Sequence, residues 1–227
     1  MNFVSANGVF GRIAILVIAA LALAGCEKYS WHQKIVLEVE TPRGVVTGGS
    51  VVEVTTRWYS EAERFASANS MSSDKRGEAS FVEVAPGRYL FAPHSSNNYG
   101  LAIGTFREGK ETPREIAARL AKLHETRPVP RKLWPMLVTF TDIGEPMTVR
   151  QVDPDNLAAT FGRGYRLKSV SLQITDERVT RGKVGQVLPW LADYYGRKLD
   201  GRKTRTSEAI NELANTLTGP SFDTELN

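Results

Sequence analysis

Alternation of hydrophobic and polar residues begins at Lys34 and predicts a first strand at Lys34–Thr41, which is rich in valine and isoleucine. Pro42-Arg43-Gly44 follows with the residue types of a turn. A second strand is predicted for Val45–Tyr59, with a bulge at Gly48-Gly49. This part of the sequence therefore predicts an antiparallel β-hairpin.

A second hairpin is predicted further along, with strands at 78–84 and 89–92 joined by a turn at 85–88. The intervening residues Ser60–Lys75 are polar and lack a strong period, which indicates an exposed connection with one helical turn at 61–66. The two hairpins resemble the prealbumin-like or immunoglobulin-like modules of bacterial surface proteins. Turn glycines and apolar strand positions carry this resemblance: Gly48, Val51, Val52, Gly77, Ala79, Phe81, Pro86, Gly87 and Tyr89.

The second half of the chain mixes helices and strands. Thr112, Pro113 and Glu115 have the spacing of a capping box, which predicts a helix from Pro113 to about His124. The other predicted elements are a buried strand at 135–142, a helix at 153–162 capped by Asp153, a strand at 165–175 beside the 135–142 strand, and helices at 189–196 and 207–217. The fold class is therefore α+β, with N-terminal antiparallel β-hairpins followed by a mixed strand-helix region.

The N-terminal 25 residues have the pattern of a signal peptide. Met1–Arg12 is weakly basic, and every residue of Ile13–Ala24 is apolar. Because a membrane-spanning helix needs about 20 apolar residues, this run is too short to span comfortably and is typical of a signal-peptide core. Residues 1–25 are therefore excluded from the predicted fold.

Cys26 is the chain's single cysteine and ends the sequence Leu23-Ala24-Gly25-Cys26. This sequence resembles the lipobox of bacterial lipoproteins. The resemblance implies that diacylglycerol is attached to Cys26 by a thioether, that cleavage occurs before it, and that its new amine is acylated. Ordinary cleavage after Ala24 is the alternative, and it would release a soluble protein.

Two or three acyl chains would hold the mature chain stably at a membrane. Glu27 follows Cys26, whereas lipoproteins kept at the inner membrane resemble Cys-Asp at these positions, so the resemblance implies the periplasmic face of the outer membrane. The predicted organisation is a signal peptide at 1–25, a lipidated tether at 26–33, a β-rich domain or subdomain at 34–107, and an α+β domain or subdomain at 108–227.

The composition is that of an ordinary globular protein, with 41% hydrophobic and 24% charged residues among 227. With Cys26 lipidated, no thiol remains for a disulfide, a zinc site or a nucleophile. The formal net charge of +4 falls to +3 when Arg12 leaves with the signal peptide, an excess too small to indicate nucleic-acid binding. No cofactor is indicated.

Candidate chemistry is sparse, and the sequence assigns no catalytic, cofactor-binding or metal-binding residue. The three histidines, His32, His94 and His124, are scattered without a metal-type partner at short spacing. Several acidic or amide side chains have both a functional and a structural interpretation: Asp153, Asp155 and Asn156 as calcium ligands or helix caps, and Asp176-Glu177 as an acid/base pair or a solvated turn.

Two further segments are candidates for binding. Residues 197–205 carry five bases against one acid, which suits contact with anionic lipid or polymer and equally a solvated loop. Trp190, Tyr194 and Tyr195 suit an aromatic shelf for carbohydrate, although the sequence favours core filling.

Most of the mature chain also resembles an uncharacterised group of exported Gram-negative proteins, a resemblance that implies no reaction or ligand. It is carried by the following segments: Thr41-Pro42-x-Gly44, Arg76-Gly77-Glu78-Ala79, Trp134–Phe140, Val152-Asp153-Pro154, Phe161-Gly162-x-Gly164, Arg166-Leu167, Ile174-Thr175, Val179-Thr180-x-Gly182 and Leu188–Leu191.

The sequence favours a membrane-anchored envelope lipoprotein that acts as a non-enzymatic interaction or envelope-maintenance module. Its partners would be membrane lipid, through the Cys26 anchor, and an envelope protein or polysaccharide. One alternative is an envelope hydrolase that uses Asp142, Asp153 or Asp176 in a cleft, and another is a soluble periplasmic binding protein.

Overall fold

A computed structural model describes residues 27–60, 70–95 and 98–226. Cys26, the signal peptide and the helical turn predicted at 61–66 lie outside these residues. The described strands are β1 Glu27–Thr41, β2 Gly44–Trp58, β3 Met71–Gly77, β4 Ser80–Ala85, β5 Arg88–Ala92, β6 Glu125–Pro128, β7 Leu137–Phe140, β8 Val149–Val152 and β9 Arg166–Thr175. The described α-helices are α1 Asn98–Phe106, α2 Pro113–Leu120, α3 Leu157–Phe161 and α4 Lys183–Val187, and 3-10 helices lie at Arg131–Leu133, Pro146–Thr148, Leu191–Tyr194 and Gly219–Ser221.

The strands form two sheets, in the orders β3-β2-β1-β9-β6 and β4-β5-β7-β8. β9 pairs antiparallel with β1 and with β6, and the second sheet is antiparallel from β4 to β8. The α+β class predicted from the sequence is confirmed. Each sheet contains strands that precede the predicted boundary at 107/108 and strands that follow it. Both sheets therefore span that boundary.

The chain divides into two compact units. In its described part the smaller unit comprises residues 27–28, 56–60 and 70–72, and it contains a hydrogen bond of 3.1 Å from the Tyr59 N–H to the Ser70 carbonyl. In its described part the larger unit comprises residues 29–55, 73–95 and 98–226, and every site described below lies within it.

Both faces of the second sheet are buried because its side chains alternate between two hydrophobic clusters. Along β5, Leu90 and Ala92 join the cluster shared with the first sheet and helices α1 and α2, whereas Phe91 joins the other. The second cluster is completed by the C-terminal segment, including Leu199 and Phe222. Irregular chain therefore covers a sheet face that would otherwise be exposed.

The two sheets meet at a corner of small residues. Gly48 on β2 lies so close to β4 that a Cβ there would be 2.2 Å from the Phe81 carbonyl oxygen. Next to it, the Ser50 hydroxyl donates to the Ala79 carbonyl at 2.9 Å, and the Ser80 hydroxyl donates to the Ile35 carbonyl at 2.8 Å. Glycine and serine at these positions allow the two sheets to approach each other.

Local signals predicted both hairpins correctly, as well as the start of α2. Thr112 and Glu115 form the expected capping box, although α2 ends at Leu120 rather than near His124. The predicted tether at 27–33 lies instead in β1, where Trp31 and Gln33 are buried. The polar connection predicted up to Lys75 gives way to β3, an edge strand that needs little apolar sequence because it pairs on one side only.

Three predictions for the second half are wrong. β9 pairs with β1 and β6 rather than with the strand at 137–140. The helix predicted from Asp153 begins at Leu157, because the Asp153 carboxylate accepts the Asp155 N–H in a turn and Asn156 provides the cap. The helix predicted at 207–217 is a series of turns.

Side-chain hydrogen bonds explain these turns. The Asn211 Oδ1 atom accepts the N–H groups of Leu213 and Ala214, and its Nδ2 donates to the Met147 carbonyl at 2.8 Å. These bonds compete with a continuous helical ladder and fasten the segment beside β8. The predicted helix at 189–196 is likewise shortened, to the 3-10 turn Leu191–Tyr194. The elements α1, β6, β8 and α4 had no predicted counterpart.

Candidate functional site

A cavity of about 260 Å³ lies beside the corner where the two sheets meet. We call it the Lys75 cavity. Its apolar lining includes Ile35, Val52, Leu101, Leu133, Trp134 and Met136. Its polar lining consists of Gln33, Ser50, Lys75, Glu78, Ser80, His94 and Ser95. The volume is slightly below the range of about 300 to 1,000 Å³ for sites of drug-sized ligands, so the cavity suits a smaller molecule.

Gly77 organises the polar part of the cavity, at the point where the chain leaves β3 for the second sheet. Its φ of +121° favours glycine, and its carbonyl accepts hydrogen bonds from His94 Nε2 at 3.0 Å and Thr224 Oγ1 at 3.1 Å. Lys75 precedes this residue by two positions and Glu78 follows it. The change of direction at Gly77 therefore brings an amine, an imidazole and a carboxyl group to one cavity.

Lys75 is a half-buried lysine without an ion-pair partner among the described residues. Burial alone lowers the pKa of its amine to about 6, because desolvation disfavours the charged form. At neutral pH its amine is therefore mostly uncharged when no anion lies beside it. A neutral amine in a cavity acts as a hydrogen-bond donor and acceptor, and an arriving anion would favour its protonation.

His94 is held in one tautomer. Burial and then the nearby Lys75 amine lower the pKa of its imidazole to about 3, against a weaker opposing effect of the Gly77 carbonyl. Since a carbonyl oxygen only accepts, the hydrogen bond to Gly77 places the proton on Nε2. Nδ1 of the neutral ring is then a hydrogen-bond acceptor, not a donor.

Glu78 has a structural role as well as a place in the cavity lining. It is 1% exposed, and its Oε2 accepts the Lys183 N–H at 3.2 Å at the start of α4. Its Oε1 has no hydrogen-bond partner among the residues that the structure describes. Burial raises the pKa of this carboxyl group, an effect opposed by backbone N–H groups at the start of α4 and strengthened by Asp223.

A second, more open hollow of about 320 Å³ adjoins the cavity. Lys75, His94 and Ser95 line both spaces, whereas Asp74 and Thr224 line only the hollow. These three residues therefore stand at the boundary between the two spaces. Leu101, Leu133 and Trp134 line only the cavity, as do the polar residues Gln33, Ser50, Glu78 and Ser80.

The carboxylates considered for hydrolysis are not brought together in this cavity. Asp142 and Asp153 each accept a backbone N–H two residues ahead, at 2.9 Å in both cases. Asp176 lies on the surface with its Oδ2 2.6 Å from His124 Nε2. None of the three aspartates lines the Lys75 cavity or the adjoining hollow.

The other sequence candidates are spread over the surface and the second core. His32 Nδ1 lies 2.7 Å from the Glu177 carbonyl. Trp190 packs in the second cluster, 5.5 Å between ring centroids from Tyr194, while Tyr195 is exposed. The basic segment 197–205 is mostly exposed around a buried Leu199.

Only His94 of these candidates lies in the cavity, and neither Lys75 nor Glu78 was assigned a role from the sequence. The segment Arg76-Gly77-Glu78-Ala79 carried part of the resemblance to exported proteins, but it gave no sign of a cavity. In the part of the chain that the structure describes, no three His, Cys, Asp or Glu side chains are placed to hold a metal ion. Nor does any described helix have the length and apolar character needed to cross a membrane.

Comparison with protein families, curated proteins and solved structures finds no match to this chain.

Proposed function

We propose that this protein is a membrane-anchored envelope lipoprotein whose folded part binds a small ligand in the Lys75 cavity without transforming it. The cavity supports this proposal most strongly, because it combines a broad apolar lining with a few convergent polar groups, the usual composition of a small-molecule site. Anchoring through Cys26 rests on the lipobox in the sequence.

The hydrogen bonds around the cavity favour binding over catalysis. The hydroxyls of Ser50 and Ser80 both donate to backbone carbonyls, so neither is paired with a base that would activate it. His94 Nε2 is likewise bound to a backbone carbonyl rather than to a carboxylate. The Ser50 and Ser80 hydroxyls are therefore not arranged as nucleophiles hydrogen-bonded to a general base.

Blocking the mouth of the cavity tests ligand binding. We expect 1-hexanol, a small neutral amphiphile, to change the fluorescence of Trp134 saturably, and Trp134→Phe to remove the signal. Met136 lines the cavity and is 38% exposed, so Met136→Trp should fill the entrance and weaken hexanol binding about tenfold or more. Isothermal titration calorimetry measures the affinity of this variant independently of its added tryptophan.

Met147 provides the matched control, because it is 37% exposed and lies outside this cavity. Met147→Trp should bind hexanol as the unmodified protein does. Equal affinities for the Met136→Trp variant and the unmodified protein would contradict binding in this cavity, as would an absence of saturable binding to both 1-hexanol and hexanoate.

Cys26→Ser tests the anchor. We expect cells that express the unmodified chain to incorporate a palmitate analogue into the protein and to retain it in the membrane fraction, since two or three acyl chains make dissociation negligible. The serine variant should lose both the label and the acyl-dependent membrane retention. An unlabelled and soluble unmodified protein would instead support cleavage after Ala24.

A further inference from the structure

We propose that the Lys75 cavity selects a small monocarboxylate with a short apolar tail, the carboxylate paired with the Lys75 amine and the tail lying against Leu101 and Trp134. This inference rests on the proposed binding function and names the class of ligand. It is carried by the position of an amine that has no ion-pair partner among the described residues, at the end of the cavity that borders the hollow.

The part of the fold that the structure describes supplies no carboxylate partner for the Lys75 amine. Buried lysines are nearly always paired, because leaving the charge in a poorly solvated place is costly. Among the described residues no carboxylate forms an ion pair with Lys75, and no nearby charge opposes the effect of burial on its pKa. A ligand carboxylate would provide the missing partner and allow the amine to become protonated.

The position of the Lys75 amine relative to Leu101, Leu133 and Trp134 orients such a ligand. Lys75 and His94 line both the cavity and the adjoining hollow, so they mark the end of the cavity that borders the hollow. Leu101, Leu133 and Trp134 line only the cavity, and the Trp134 Nε1 donates to the Val129 carbonyl at 2.9 Å, which fixes the indole. The head of an amphiphile thus belongs at Lys75 and its tail beside the indole.

The other charged and titratable groups limit the ligand to one negative charge. The neutral His94 ring presents Nδ1 as an acceptor, which offers no donor to an anion. Glu78 lines the same cavity and Asp74 lines the hollow, and both carry carboxyl groups. A dianion such as a phosphate monoester would find one amine to pair with and two carboxyl groups nearby, whereas a monocarboxylate matches the single amine.

Hexanoate and 1-hexanol, which differ at the head group, form the test pair. We expect hexanoate to bind the protein at least about tenfold more tightly than 1-hexanol at pH 7, because only hexanoate can form a charge-assisted hydrogen bond with the Lys75 amine. Lys75→Met should lower the affinity for hexanoate by about tenfold or more and leave that for 1-hexanol unchanged or higher. Lys122→Met, which removes an exposed lysine outside the cavity, should change neither affinity.

Proton uptake gives a second measurement. At pH 8 the amine of the free protein is neutral, whereas the bound carboxylate holds it protonated. Calorimetry in buffers of different ionisation enthalpy should therefore show that close to one proton is taken up for each hexanoate bound. Binding of 1-hexanol should take up none. Equal affinities for the two probes, unchanged by Lys75→Met and without proton uptake, would overturn the carboxylate assignment and leave the proposed binding function standing. If neither probe binds, both proposals fail.

Discussion

Lys75→Met is expected to raise the free energy of unfolding at pH 7 by several kcal/mol. Burial lowers the pKa of this lysine from 10.5 to about 6, so between these values the unfolded chain binds a proton that the folded chain does not. Stability rises with pH wherever the unfolded state binds more protons, here by up to about 1.4 kcal/mol per pH unit. At pH 7 most of this pH-dependent rise in stability has not yet taken place. Methionine has a side chain of similar length but no amine, so the variant avoids the free-energy cost of burying Lys75.

Urea denaturation at pH 7 and at pH 9.5 measures this effect. The advantage of the Lys75→Met variant over the unmodified protein should be large at pH 7 and should shrink towards pH 9.5, because the unfolded lysine then also begins to lose its proton. Lys122→Met should show no such advantage at either pH. A Lys75→Met variant no more stable than the unmodified protein at pH 7 would mean that the amine is well solvated or already paired.

His94 adds acid sensitivity of the same sign at lower pH. Its pKa falls from 6.5 to about 3 on folding, so the unfolded state binds the extra proton between these values and stability is lost as the pH falls through them. The Lys75→Met variant should therefore retain a decline in stability below about pH 6. Two groups of one cavity thus favour unfolding in acid, and a carboxylate bound to Lys75 would offset the contribution of that residue.

Local signals in the sequence predicted the elements that depend on local chemistry. Pro42-Arg43-Gly44 and Pro86-Gly87 mark the turns of the two hairpins, and Thr112 with Glu115 marks the start of α2. The partners of β9 were not predictable in this way. Its pairing places Leu37 opposite Val170, residues far apart in sequence, and an apolar alternation says which face is buried but not which strand lies beside it.

The candidate site was still less accessible from the sequence. Lys75 stands in a polar run that is typical of an exposed connection, and only the change of direction at Gly77 places it beside the cavity. His94 follows β5 without a motif, and its fixed tautomer depends on the carbonyl of a residue 17 positions away. The lipidation proposed for Cys26 is the opposite case, because it rests on a linear sequence pattern and requires no knowledge of the fold.

Gly48→Ala is expected to destabilise the protein by more than about 4 kcal/mol, the largest loss we predict for a single methyl group. The added Cβ would lie 2.2 Å from the Phe81 carbonyl oxygen and 2.7 Å from the Val82 Cβ. Neither neighbour is a flexible chain end. Phe81 and Val82 belong to β4, which pairs along its length with β5, and Val82 is buried in the core shared by the two sheets.

Relief of this contact would require the sheets to separate at the corner that also supports the Lys75 cavity. The bond from the Ser50 N–H to Ser80 Oγ, 3.0 Å long, would be lost with that movement. Gly185→Ala is the matched control, since a Cβ there meets nothing within 4 Å. Gly185 lies in α4, and alanine is favoured over glycine within a helix by up to about 1 kcal/mol. In urea denaturation at pH 7, a Gly48→Ala variant as stable as Gly185→Ala would show that β2 and β4 do not approach so closely. A large loss confined to Gly48 would instead locate the constraint at the corner itself, because the two substitutions add the same methyl group.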